Sequence, residues 1–178
     1  MSSSADRNAP PDVSEVFVES VHVHADSAQH VVLLRERHRD RYLPIWVGPW
    51  EASAIATRLQ GLLPERPLTH DLYTRTLLEL GVRIIRVVVT ELAEETYRAR
   101  VVLSLGEVRH EIDARPSDAI AIALRADVPI YVADAILDRV GVLPGLEQET
   151  RLSMFREFVN SLEVDLGGGS DREAQGPA

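Results

Sequence analysis

Two stretches of this 178-residue chain repeat one another, and that repeat limits the possible folds more than any other feature. IWVGPWEASAIATRL begins at Ile45 and IDARPSDAIAIALRA at Ile112. At that offset Ile45 falls on Ile112, Pro49 on Pro116, Glu51 on Asp118, Ala52 on Ala119, Ala54 on Ala121, Ile55 on Ile122 and Ala56 on Ala123. Each copy joins a strand to a helix opened by proline, whose missing N–H costs nothing at the first helical position. Each also sets a carboxylate two residues after that proline. Two copies make a duplication rather than a solenoid. The expected architecture is α+β: an internally duplicated β3-α unit, with a largely antiparallel sheet packed with helices about a pseudo-twofold axis.

The segments around the repeat supply the remaining strands. Val16 to Val23, His30 to Arg35 and Tyr42 to Val47 are apolar or β-branched runs, and the polar Glu36 to Arg41 reads as a hairpin turn. Ala52, Ile55, Ala56 and Leu59 make one face of the first helix, which Gly61 ends. A second helix is expected from Thr69 as cap, with Leu68 and Tyr73 as a hydrophobic staple. Its stripe is Leu72, Thr76, Leu77 and Leu80, and Gly81 is the stop. Val82 to Thr90, Tyr97 to Leu105 and Glu107 to Asp113 form the second strand set, with a polar AEE turn between the first two. Pro116 opens a helix with Ala119, Ile122, Ala123 and Ala126 inward. PIYV (129–132) reads as a short strand, followed by a brief helix from Asp134 to Gly141.

The predicted organisation is a flexible tail over 1–12, a domain over 13–145, an amphipathic helix over 146–165 and a second flexible tail over 166–178. There is no cysteine, which excludes disulfides and thiolate metal sites. No apolar run is long enough to span a bilayer, and the first residues lack the basic and apolar regions of a signal peptide. No membrane association is expected, and a cytoplasmic location follows by elimination. The net charge is −9, so a polyanion could be held only through a local patch. All 19 basic residues are Arg, the side chain suited to forked phosphate or carboxylate contacts. Arg35, Arg37, Arg39 and Arg41 would share a face if extended, diluted by Glu36 and Asp40. His22 and His24 share one strand face but are too few to make a metal site.

LPIWVGPWEA (43–52), RPLTHDL (66–72), IDARPSDAIAIALR (112–125) and PIYV (129–132) together resemble the signature blocks of the bifunctional nuclease domain family, in order and at similar separations. The resemblance implies an α+β domain that hydrolyses phosphodiester bonds in RNA and DNA. Such chemistry needs an activated water, charge stabilisation at phosphorus and help for the leaving oxygen. The blocks offer Glu51, His70 and Asp118 as catalytic candidates and Arg66, Arg115 and Ser117 as substrate contacts. Glu51, Asp71 and Asp118 are offered as ligands for a divalent metal, magnesium or manganese. RNA or single-stranded DNA is the expected partner, and a homo-oligomer is expected because strand edges and the C-terminal helix need cover.

Each candidate also has a structural role open to it. Glu51, Asp71 and Asp118 stand in first turns of helices, where a carboxylate gains about 0.3–1 kcal/mol from free N–H groups and the helix dipole. Arg66 and Arg115 could pair with those acids instead of a phosphate. Neighbouring His70 and Asp71 diverge by about 100° on a helix, so they should point to different partners. The competing reading is a non-enzymatic binding or regulatory module that recognises an anionic ligand or a protein partner.

Overall fold

A computed structural model describes residues 11–23 and 29–143. The expected C-terminal helix over 146–165 and the two tails, apart from Pro11 and Asp12, lie outside the described residues. The chain runs β1 (Val13–Val23), β2 (His30–Glu36), β3 (Tyr42–Val47), α1 (Pro49–Leu59), α2 (Thr69–Glu79), β4 (Val82–Ala93), β5 (Thr96–Leu105), β6 (Val108–Ala114), α3 (Pro116–Ala126), β7 (Ile130–Ala133) and α4 (Asp134–Val140).

The strands form one seven-stranded sheet in the order β3-β2-β1-β7-β4-β5-β6. β1–β2–β3 and β4–β5–β6 are antiparallel meanders, each followed by a proline-opened helix. Short β7 lies between them, antiparallel to β1 and parallel to β4. The mixed sheet and its helices make the expected α+β arrangement. Glu94 and Glu95 close the β4–β5 hairpin at positive φ, 46° and 62°, the two-residue geometry that matches strand twist.

The main core lies between the helices and one face of the sheet. Val32, Leu34, Leu43, Ile45, Val87, Val89, Val101 and Val132 supply the sheet side. Ile55, Ile120, Ile122, Ile136 and Leu137 supply the helix side. A smaller cluster of Val88, Val102 and Tyr131 covers part of the other face. α3 is buried on more than one side, from Pro116 through Ala123 apart from Asp118. Its small alanines leave room for α1 and α2 beside it, and Ile120 and Ile122, on different sides of the helix, both join the main core. Each isoleucine contributes about 1.5–3 kcal/mol of transfer free energy, an upper estimate.

Three expectations about the helices change. Leu68, in extended conformation, is the N-cap of α2, and Thr69 is the first helical residue. Leucine has no capping acceptor, so the Asp71 carboxylate reaches back to accept from Leu68 N–H at 2.9 Å. The stripe of α2 also rotates: Tyr73 and Leu77 pack on the core, while Leu72 and Leu80 are exposed, because α2 covers only the margin of α3 and β4. Leu59 at the end of α1 is exposed as well, beyond the reach of the sheet.

The arginine-rich turn is no basic patch. Arg35 pairs with Asp40 at 3.0 Å and lies over Phe17 and Tyr42, and Arg37 pairs with Glu15 at 2.8 Å. Arg41 donates Nε to Glu36 at 2.6 Å and also reaches Asp138 of α4. Burial raises the Glu36 carboxyl, but hydrogen bonds from Arg41 and Ser14 outweigh it and hold the group below its ordinary value. This is a structural clamp between the hairpin and α4. His22 is satisfied by Ser20, Nε2 to Oγ 2.7 Å, and His24 lies outside the described residues.

Candidate active site

The opening turns of α1, α2 and α3 bring four candidates together. Arg115 is the extended N-cap of α3, placed there by the proline that follows it. Its Nε donates to Asp118 Oδ2 at 2.7 Å and its Nη2 to Asp118 Oδ1 at 3.2 Å. The same Nη2 lies 2.9 Å from Glu51 Oε1 in α1. From α2, His70 Nε2 meets Asp118 Oδ1 at 3.1 Å. The N-cap of α1 is Gly48, where a Cβ would collide with the Glu51 carboxylate.

The group is partly open. The Arg115 side chain is 65% exposed, Asp118 30%, Glu51 19% and His70 16%. The bonds of Arg115 among the described residues use Nε and Nη2 rather than Nη1. Burial raises the Asp118 carboxyl, but hydrogen bonds from Arg115 and His70, with their charges, more than offset it and hold the group below its ordinary value of 3.8. Hydrogen bonding to Asp118 in turn pushes the Arg115 guanidinium up.

A carboxyl whose pKa is lower folded than unfolded stabilises the fold above its unfolded value, and that contribution is lost as pH falls through the folded value. Glu36 and Asp118 share this sign. Stability should therefore fall on acidification from about pH 5 downward. Thermal melts across that range should show a shallower loss for Asp118→Asn than for the parent; equal slopes would show that Asp118 is not among the responsible groups.

The other candidates are placed differently. Asp71 points away from His70, as helical geometry requires. Its Oδ1 accepts from Arg125 Nε at 2.8 Å, while Oδ2 takes the Leu68 N–H. Ser117 is buried at the start of α3 and stands apart from the exposed group. Arg66 is exposed in the loop before α2 and makes no ion pair among the described residues.

The donor chemistry does not fit the expected divalent metal. Glu51 and Asp118 both face a guanidinium that already supplies their positive charge, and Asp71 is held by Arg125. Among the described residues no group of three or more His, Asp or Glu could hold an ion.

Sequence reasoning missed Arg125, although the repeat carried a signal, since Arg58 falls on Arg125 at the same offset. Arg58 donates to Leu124 O at 3.1 Å and Arg125 to Ala54 O at 3.3 Å, so α1 and α3 each lend an arginine to the other's backbone. Trp50, beside Glu51, is 85% exposed.

The domain is α+β, and a His–Asp pair and a largely exposed arginine meet at its converging helix starts. Residues 32–144, more than half of the chain, match the family model of the bifunctional nuclease domain. The chain belongs to that family. It is 41% identical over 162 residues to the Uncharacterized protein Rv1829 of Mycobacterium tuberculosis (strain H37Rv), covering 86% of this chain and 97% of that one. It is 33% identical over 112 residues to Bifunctional nuclease 1 of Oryza sativa subsp. indica, covering 60% of this chain but 34% of the rice protein. Among the described residues no helix is long and apolar enough to cross a membrane.

Proposed function

We propose that this protein hydrolyses phosphodiester bonds in RNA or single-stranded DNA, with His70 and Arg115 at the reacting phosphate. The observation that carries the reading is the convergence of His70, Asp118, Arg115 and Glu51 from three helix starts. With Nε2–H donated to Asp118, the imidazole keeps the Nδ1 lone pair to take a proton from an attacking water. Asp118 orients the ring and stabilises the imidazolium that forms. In this reading Nη1 of Arg115 holds a non-bridging phosphoryl oxygen as charge builds there. Glu51 fixes the guanidinium from the other side. The attacking oxygen bonds to phosphorus, one ester P–O bond breaks, and the departing oxygen takes up a proton, giving a phosphomonoester and an alcohol. Arg66 extends the contact along the backbone, and Trp50 offers a face on which an unpaired base can stack.

Pairing of Arg115 with two carboxylates favours one other reading, a non-enzymatic module that recognises an anionic ligand or a protein partner. End-labelled RNA, single-stranded DNA and duplex DNA should be incubated with the protein in magnesium, in manganese and in chelator. Cleavage of the unpaired strands is expected, strongly reduced in Arg115→Ala and in the Glu51→Gln/Asp118→Asn double variant. A chelator-insensitive rate fits the donor chemistry; a strictly metal-dependent one would return Glu51 and Asp118 to the role of ligands. Absence of cleavage in every arm would leave the binding module, and full activity in the double variant would remove these residues from the chemistry.

A further inference from the structure

The two edges of the sheet are unlike. The β3 edge contains Pro44, which has no N–H to offer a further strand. The β6 edge has no proline, and its pairing with β5 runs without a register shift from Ala99–Ala114 to Leu105–Val108. By contrast, β1–β2 and β4–β5 are both interrupted by bulges. Every residue of β6 from Val108 to Asp113 is exposed.

An open, regular edge is a template for another strand. Its pairing register places Val108, His110 and Ile112 on the helix-bearing face, opposite Leu105, Leu103 and Val101. Leu105, Val108 and Ile112 form an exposed apolar shelf there that no described helix covers. Arg109 and Glu111 lie on the other face. Arg109 has no partner among the described residues, and Glu111 uses Oε2 for Arg100 at 2.9 Å, leaving Oε1.

We infer that β6 is a self-association edge, pairing antiparallel with β6 of a second copy of this chain about a twofold axis at His110. The sequence Val-Arg-His-Glu-Ile is self-complementary in that register. Arg109 faces Glu111 of the partner subunit, and Val108 faces Ile112 of the partner subunit. By symmetry each pair occurs twice, and the two apolar shelves become continuous. A different partner protein would not require this palindrome of charge. The inference is independent of the nuclease reading.

Sedimentation velocity on the full chain tests it. The parent should be a dimer at micromolar concentration. Arg109→Glu and Glu111→Arg each turn two attractive cross-strand pairs into repulsive ones, and each should weaken dimerisation about tenfold or more. An equimolar mixture of these two variants should recover the dimer, because both facing charge pairs again have opposite sign. The double variant Arg109→Glu/Glu111→Arg should recover it alone, a result that an unfolded chain could not give. A monomeric parent, a dimer indifferent to both single variants, or failure of both the mixture and the double variant to reassociate would each overturn the inference.

Discussion

His70→Ala is expected to slow cleavage of labelled RNA by about 10²–10⁴-fold, the usual worth of a positioned general base. The effect should fall on the single-turnover rate at saturating protein, with the affinity for uncleaved strand little changed. Arg115→Ala should instead weaken binding as well as rate, since the guanidinium meets the phosphate before and during reaction. In the proposed mechanism the bond of 3.1 Å between His70 Nε2 and Asp118 Oδ1 orients the ring and leaves its other nitrogen for the proton. Asp118→Asn, which keeps the shape but not the charge, should fall between the parent and His70→Ala. Retention of the parent rate within about threefold by His70→Ala would remove the base assignment, since general-base losses are far larger.

Asp71→Ala is the variant expected to cost most stability, about 3 kcal/mol in urea unfolding. The Arg125 side chain is only 4% exposed, and Asp71 is its carboxylate partner at 2.8 Å. Removing that acid leaves a buried guanidinium with only the Ala121 and Ala54 carbonyls to satisfy it. It also removes the acceptor for Leu68 N–H at the start of α2. The loss should be the same with magnesium or with chelator. A stability change under about 0.5 kcal/mol, typical of a neutral surface substitution, would show that the pair is not a structural clamp, and a loss confined to metal-containing buffer would restore Asp71 as a ligand.

Asp71 also shows where reading the chain reaches its limit. Position on the helix foretold that His70 and Asp71 diverge, because that depends only on helical pitch. Proline, too, acts locally, so the starts of α1 and α3 and the acids two residues later could be read directly from Pro49 and Pro116. Which acid meets which cation depends on how α1, α2 and α3 cross, and no local spacing encodes a contact such as Asp71 with Arg125. The cap of α2 was misread for a related reason. Thr69 has the right chemistry, but the Asp71 side chain already satisfies the free N–H one residue earlier. The exposed Leu72 and Leu80 mark the same limit, since periodicity identifies an apolar stripe but not how much of it the rest of the fold can cover.

The position of β7 has a consequence for how this molecule comes into being. Within the sheet neither meander bonds to the other; among the described residues the strand between them is the four-residue Ile130–Ala133, after both in the chain. Both meanders precede β7 in the chain, so the inner margins at β1 and β4 lack their native neighbour until it has been made. Only when the last of those four residues has left the ribosome can both margins be closed in one act. The latch of the sheet is thus made after everything it joins.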